Sequence, residues 1–313
     1  MGNRYIGIGS AIVDNIVPFG ASEPVTKRLG GGGVYAFTGI RLWEYDCMLA
    51  LHTGKDFEDL YGEWLRANGI DWSGVIQDRE HTRTVNLYYN EEGHYDNVDL
   101  YPEEYPKHWE NISTVLLDPI VTGHTRGVYT ITVGDTRILA DTYKIINERG
   151  ARLGGEFSIN YRFGEPDNLE FFRENSEYMD FISLNTYECR HLFRGCRDAE
   201  DASEVMKSLG KPCFLREGRH GARFILDGKE YKSPLISEFG DTDETGCGNT
   251  STSAAFWAWC EGKDPLEVSY IGAVTASANA GCEGLIKTLD QDLRDRCSHL
   301  VREYLSGERG GRR

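Results

Sequence analysis

No run of the chain approaches the ~18 uninterrupted apolar residues that a membrane-crossing helix needs, so a transmembrane role is disfavoured. The opening "MGNRYIGIGSAIVDNIV" lacks a charged segment followed by a long apolar stretch, and a secretory leader is not expected. Gly2 is present, but Ile6 stands where a myristoylation signal wants Ser or Thr, which disfavours that modification too. Positive charge is scarce: 34 Lys+Arg stand against 50 Asp+Glu, a formal charge of −16 that repels nucleic acid and anionic membrane. No basic patch offsets it, and the basic "RGGRR" belongs to a glycine-rich tail of the kind that stays disordered. The eight cysteines, at 47, 189, 196, 213, 247, 260, 282 and 297, form no C-x-x-C pair and no disulfide framework, which points to a reducing, cytoplasmic setting. No H-E-x-x-H occurs, no histidine stands at metal-ligand spacing with cysteines, and His191 beside Cys189 reads as a helix-surface residue. A Walker loop is missing, and "GIGSA" at Gly7 lacks the third glycine of a dinucleotide fingerprint.

What remains is an enzyme-sized chain. Its 313 residues, 40% hydrophobic, can bury one large core or two modest ones. Short apolar runs, "YIGIG", "CMLALHT", "TVLLD", "GEFSIN", "MDFISLN" and "PCFLRE", read as buried strands. Between them "DLYGEWLRANG" and "DASEVMKSLG" have helical apolar spacing and a terminal glycine suited to a C-cap. This alternation predicts an α/β fold with a mainly parallel sheet covered by helices on both faces. Two regions break it: the extended "AIVDNIVPFG", and "TRTVNLYYNEEGHYDNVDLY", which reads as a hairpin. They form either a small β lid over a substrate or an edge extension of the main sheet. The expected organisation is one domain over 1–305, with lid segments near 11–30 and 75–105, and a flexible tail at 306–313. An exposed lid edge would also suit pairing of two copies into a homodimer.

The chemistry concentrates in "DETGCGNTSTSAAFWAWCEG", Asp243 to Gly262. Gly246 and Gly248 let consecutive backbone N–H groups converge, and the residues after them have the composition of a capped helix with an apolar body. Such amides at a positive helix end make an anion hole, although a plain capped helix after a glycine turn reads equally well from this stretch alone.

Further segments carry a resemblance that covers most of the chain. "DETGCGN" occupies the frame of D-T-x-G-A-G-D, the signature of the ribokinase-like, or PfkB, family of carbohydrate and nucleoside kinases. "GSAIVDNIV", "LGGGGVYAFTG", "GKDFEDLYGEWLRANGID", "INYR", "NTYE" and "REGRHGA" resemble, in order, the family's other motifs. The resemblance implies a doubly wound α/β core with a β lid, ATP as phosphoryl donor, Mg²⁺, and a small sugar or nucleoside-like substrate. It implies that Asp14, Gly31, Gly32, Tyr35 and Asn160 meet the substrate. Asn185 and Glu188 would organise the metal through water, and Arg216, Gly218 and Thr245 would line the nucleotide. The N–H groups of Gly246, Cys247, Gly248 and Asn249 would stabilise charge on the transferred phosphoryl group.

The match departs from the family at informative places. Asn249 replaces the family's catalytic Asp, and loss of such a base costs roughly 10²–10⁴-fold in the chemical step. The amide keeps one acceptor oxygen, so it can still orient a hydroxyl. Tyr35 or Ala36 stands where an Asn is usual, Ser158 replaces the Asp of D-P-N, and Arg216 replaces a nucleotide-side Thr, where it could hold an anion directly. Three functions fit this pattern: a kinase with altered base chemistry, in which Asp243 or Asp241 substitutes; a non-catalytic binder of a phosphorylated metabolite or nucleotide; or, least, an enzyme using Cys247 as a helix-terminal nucleophile. Tyr88, Tyr89 and Tyr95 in the hairpin are candidates to stack on a base or sugar, or to pack on one another.

Overall fold

The strand-helix alternation builds one large twisted sheet with a smaller one beside it. The computed structural model describes residues 3–91, 95–105, 117–132, 136–157 and 168–307. Among them, the large sheet comprises β1 (Tyr5–Ile8), β4 (Cys47–Gly54), β5 (Asp71–Arg79), β8 (Gly127–Thr132), β9 (Arg152–Phe157), β10 (Phe181–Asn185), β11 (Cys213–Arg216), β12 (Ala222–Leu226) and β13 (Lys229–Ser233). Their spatial order is β13-β12-β11-β10-β9-β8-β1-β4-β5. Pairing is parallel from β11 through β5, and the β11–β12 and β12–β13 pairs at one edge are antiparallel. The apolar runs are continuous because these strands are covered on both faces, so alternate residues enter different cores. Tyr5 joins one cluster and Ile6 the other.

The first cluster is closed by α1 (Gly32–Trp43), α2 (Phe57–Ala67), α7 (Cys247–Cys260), α8 (Pro265–Ala280) and α9 (Gln291–Ser306). The second is closed by α3 (Thr136–Glu148), α4 (Asn168–Ser176), α5 (Thr186–Leu192) and α6 (Ala199–Ser208). The helix α7 is buried almost throughout, from Thr250 to Ala258, between α1 and α8. Its hydroxyls are satisfied inside the helix: Thr252 donates to the Gly248 carbonyl at 2.8 Å, and Thr250 to the Gly246 carbonyl at 3.1 Å. That self-satisfaction allows a Ser/Thr-rich segment to sit in a core.

The second sheet, β2 (Ile12–Val17), β3 (Thr26–Gly30), β6 (Thr84–Tyr89) and β7 (Tyr95–Asp99), has the order β3-β2-β6-β7 and is separate from the first. The two regions therefore form a sheet of their own and not an edge extension of the large one. Its second ribbon begins at Thr84, whereas Val75 to Arg79 lies in β5 of the large sheet. The "TVLLD" run is a second difference. Its described residues, Leu117 and Asp118, lie in a helical turn, and β8 "GVYTIT" fills the sheet instead. The hairpin's residues 92–94, together with Ser158 and Asn160, lie outside the described residues.

Candidate active site

The site forms where the small sheet meets the carboxyl ends of the parallel strands, the edge at which doubly wound sheets bind ligands. Three strands deliver charged or polar side chains there: Glu156 near the end of β9, Asn185 ending β10 and Arg216 ending β11. Backbone register puts Ser183 opposite Glu156, and Asn185 opposite Arg216.

The α7 helix starts beside them. Gly246, its N-cap, has φ 79°, and a Cβ there would overlap the Tyr35 ring, so only glycine serves. Among the described residues, no backbone acceptor meets the amides of Gly246, Gly248 or Asn249, whereas the Cys247 N–H is committed to the Glu244 carbonyl at 3.2 Å. The open donors are thus three, not the four expected, and Cys247 is not among them. Nor is its thiol primed for nucleophilic attack. Burial raises it to about 11, despite an Asn279 side-chain amide 3.4 Å from Sγ.

Asn249 donates its side-chain amide to Glu156 Oε1 at 2.6 Å, and the Tyr129 hydroxyl donates to the same oxygen at 3.2 Å. A carboxylate only accepts, so the NH₂ of Asn249 faces Glu156, and its Oδ1 is the end left for a ligand hydroxyl. Arg216 closes the group: Nη1 pairs with Glu156 Oε2 at 2.9 Å, and Nη2 with Glu188 Oε2 at 3.2 Å. Burial alone would lower Arg216, but Glu156 and Glu188 outweigh it and leave its pKa raised. Burial pushes Glu188 up, with Arg216 pulling in the opposite sense.

Asn185 and Glu188 form a reciprocal capping box on α5. Glu188 N–H donates to Asn185 Oδ1 at 2.8 Å, and Asn185 N–H donates to Glu188 Oε2 at 2.7 Å. One Glu188 oxygen is thereby shared between a backbone amide and a guanidinium. Among the described residues, no group of three or more His, Cys, Asp or Glu is arranged to hold a metal ion. Glu156 is occupied at both oxygens, and among the described residues only Glu188 Oε1 is left without a protein donor, which suits water-mediated and not direct ligation of a divalent cation.

Asp14, on β2, is different. It has no hydrogen-bond donor among the described residues, and burial raises its pKa to about 6 although Arg28 and Arg83 oppose the shift. A Cβ added to Gly30 would lie 3.4 Å from Asp14 Oδ2 and 3.2 Å from the Tyr35 ring, so the carboxylate and the aromatic face bracket one bare stretch of backbone. Gly31, with φ 94°, precedes α1, and Gly32 lies beside Asn249, its added Cβ falling 3.7 Å from Nδ2. The glycine segment therefore connects the Asp14 end of the site to the Asn249 end.

Asp243 is committed elsewhere. Its carboxylate accepts the N–H groups of Thr245 at 3.0 Å and Gly284 at 3.2 Å, and pairs with Arg28 of β3 at 3.4 Å. Burial works against the charge, but those donors hold the carboxyl below its usual range. It links β3 of the small sheet to the large-sheet side of the molecule, and Asp241 is exposed to solvent. Thr245 is exposed, and Gly218 lies exposed in a 3₁₀ turn directly after β11. Tyr88 is 41% exposed on the lid.

Sequence reasoning missed Glu156, Tyr129 and Arg28. A signal existed for the first: an ionisable residue inside the apolar run "GEFSIN" must find a buried partner or remain unsatisfied. Nothing local marked the other two.

A sequence profile of pfkB family carbohydrate kinases matches residues 21–292. No curated protein matches the chain in sequence. Among solved structures, an Arabidopsis thaliana ribokinase complexed with ribose and ATP is similar, with TM-score 0.76 and 19% identity over 96% of this chain and 99% of that one. A nucleoside kinase of Methanocaldococcus jannaschii has TM-score 0.70 and 19% identity, covering 97% and 100% of the two chains. An E. coli putative ribokinase II in complex with ATP and Mg²⁺ has TM-score 0.76 and 14% identity, covering 96% and 99%. Likeness at these identities concerns the fold. No helix among the described residues is long and apolar enough to cross a membrane.

Proposed function

The chain belongs to the pfkB family of carbohydrate kinases, and from that premise we propose that it transfers the γ-phosphoryl group of ATP to a hydroxyl of a small sugar or nucleoside-like substrate. The observation that carries this reading is Asp14, a largely buried carboxylate without a protein donor at the junction of lid and core. A buried acceptor of that kind is stabilised by the paired hydroxyls of a polyol or ribose. The similarity to a ribokinase complexed with ribose and ATP supports the same assignment.

In this reading Asp14 holds substrate hydroxyls, and Asn249 Oδ1 accepts from the attacking one. The amides of Gly246, Gly248 and Asn249 stabilise negative charge on the phosphoryl oxygens. The substrate oxygen forms a bond to the γ-phosphorus as the bond to the bridging oxygen breaks and ADP departs. The hydroxyl proton passes to a non-bridging oxygen of the transferred group. A loose transition state asks little of a base before bond formation, so positioning and charge stabilisation carry the rate. When bound, Mg²⁺ would neutralise phosphate charge, and Asn185 and Glu188 would reach it through water. Tyr35, its ring against Gly246, forms the wall between the two ends.

The protein is expected to act as a cytoplasmic enzyme, and exposed Val25, just before β3, and Val98, in β7, suit association of two copies through the lid. The decisive test is ADP release from ATP across a panel of sugars and nucleosides, with Asp14→Ala as control. A substrate that raises release tenfold or more over the control supports the proposal. If the wild type and Asp14→Ala release ADP equally with every compound, the chain is a binder.

A further inference from the structure

The small sheet is joined to the rest of the chain by two pairs of crossings. The first pair, from β1 into β2 and from β3 into α1, is packed backbone to backbone: a Cβ added to Gly31 would overlap Ser10, Ala11 and Ile12. The second pair, residues 80–83 between β5 and β6 and residues 100–105 after β7, is held by side chains instead. Residues 81–82 lie against Gly54, where an added Cβ would overlap their backbone, and Asp56 accepts the N–H and the hydroxyl of Thr82 at 2.6 and 2.7 Å. That fixes the outgoing crossing to the large sheet. Glu104 then fixes the returning crossing to the outgoing one. Its Oε2 accepts the N–H groups of Glu80 at 2.9 Å and His81 at 3.0 Å, and its Oε1 lies 2.7 Å from His81 Nδ1. The His81 ring stacks on Tyr101, with centroids 4.0 Å apart and planes 7° from parallel, and Tyr105 donates its hydroxyl to the His81 carbonyl at 2.7 Å.

A carboxylate only accepts, so Nδ1 keeps its proton wherever Glu104 is ionised, and titration of the ring removes the proton from Nε2. Losing it turns a charge-assisted bond into a neutral one and ends the attraction of an imidazolium for the Tyr101 face. The surrounding charges favour the proton: Asp56 and Glu80 act on His81 in the same sense as Glu104. Lys55 is engaged by Glu80 at 2.6 Å, and Arg79 by the Glu104 carbonyl and the Tyr105 ring. The hydrogen bond from Glu104 holds the imidazole above its ordinary 6.5, and the same bond holds Glu104 below its ordinary 4.5. We propose that this clasp makes the attachment of the small sheet pH-sensitive: an imidazolium at His81 locks the returning crossing onto the outgoing one, and its deprotonation lets β6 and β7 open more often. Because the folded-state pKa is raised, the contribution is complete below 6.5 and is lost as pH rises beyond it. Exposed pairs of this kind add little to global stability, but a four-stranded sheet held at its crossings opens locally at low cost, so a modest change there is measurable. β6 runs beside β2 with Val85 opposite Asp14, so the same clasp governs access to that carboxylate.

The test is amide hydrogen exchange on the whole chain, expressed as protection factors at about pH 5.5 and about pH 8.5, on either side of the imidazole's range. In the wild type, protection of β6 and β7 should fall by roughly 3- to 10-fold between the two, while β10 of the large sheet changes by less than about twofold. His81→Gln should abolish that fall. Glu104→Gln keeps an acceptor for the two amides but no charge, and should reduce the fall to about twofold or less. Asp14 ionises over the same range on β2, so the comparison is repeated with Asp14→Asn, in which the His81-dependent fall should persist. Wild-type protection that is flat with pH, a fall that is equal in β10, or a fall that survives in His81→Gln overturns the inference. If Glu104→Gln fails to fold, His81→Gln alone decides it.

Discussion

The Asn249 side-chain amide and the Glu156 carboxylate are 2.6 Å apart, so the polar side chain in the first turn of α7 is itself held by a carboxylate. The pair keeps an acceptor oxygen available and supplies no free base. It also means that position 249 cannot be changed alone without consequence for its neighbour.

Asn249→Asp should therefore not restore base catalysis by itself. It would set two carboxylates in contact, raising the proton affinity of the pair, and stability should fall as pH rises from 6 to 8. Asn249→Asp/Glu156→Gln removes the repulsion and should raise phosphoryl transfer by roughly 10²–10⁴-fold. Melting temperature against pH, together with ADP release for both variants, checks this. A full gain from the single substitution would show that Glu156 does not constrain the site.

Asp14 predicts a trade between stability and function. Its folded-state pKa, raised from 3.8 to about 6, gives a contribution that is fully present below about 3.8 and lost as pH rises through 6. Asp14→Asn should thus be more stable than wild type at pH 7 by roughly 1–3 kcal/mol, with the difference closing near pH 4. The same variant should lose substrate affinity, and wild-type affinity should fall as pH drops below 6. Thermal melts at both pH values decide it; a destabilised Asp14→Asn at pH 7 contradicts the assignment.

Arg28 ties β3 of the lid to Asp243 at 3.4 Å and also to Glu283, across the boundary between lid and core. Arg28→Gln should cost less than about 1 kcal/mol of global stability, because the pairs are partly solvated. The lid strands should nevertheless exchange amide hydrogens faster, and KM for the hydroxyl substrate should rise more than kcat falls. Hydrogen exchange confined to the large sheet would argue against a latch.

The two glycines that flank Cys247 should respond differently to alanine. Gly246→Ala meets both a positive φ and the Tyr35 ring, and should destabilise by roughly 1–3 kcal/mol. Gly248→Ala lies inside the first helical turn, where Ala is favoured over Gly by roughly 0.5–1 kcal/mol. Its Cβ displaces the Arg216 guanidinium instead, so melting temperature should hold while anion binding falls. Denaturation and phosphate-titration experiments on the pair separate backbone strain from site disruption.

Local pattern was enough to determine the architecture. Apolar runs of strand length, helices ending in glycine, and the glycine turn before α7 each depend on residues near in sequence, and the chain folds as those periods require. The buried strand at Gly127–Thr132 escaped because an apolar run alone does not distinguish strand from helix, and "TVLLD" competed for the same place.

The glycine turn and helix start in "DETGCGN" were likewise legible, because they are built from neighbouring backbone groups. What the sequence alone left undecided was how the charges are paired. Glu156, Arg216, Glu188 and Asn249 come from four separate segments and meet only because parallel strands end side by side under α7. Charge pairing is a matter of distances of a few ångströms, and those are set by sheet register and helix packing, on which a linear sequence is silent.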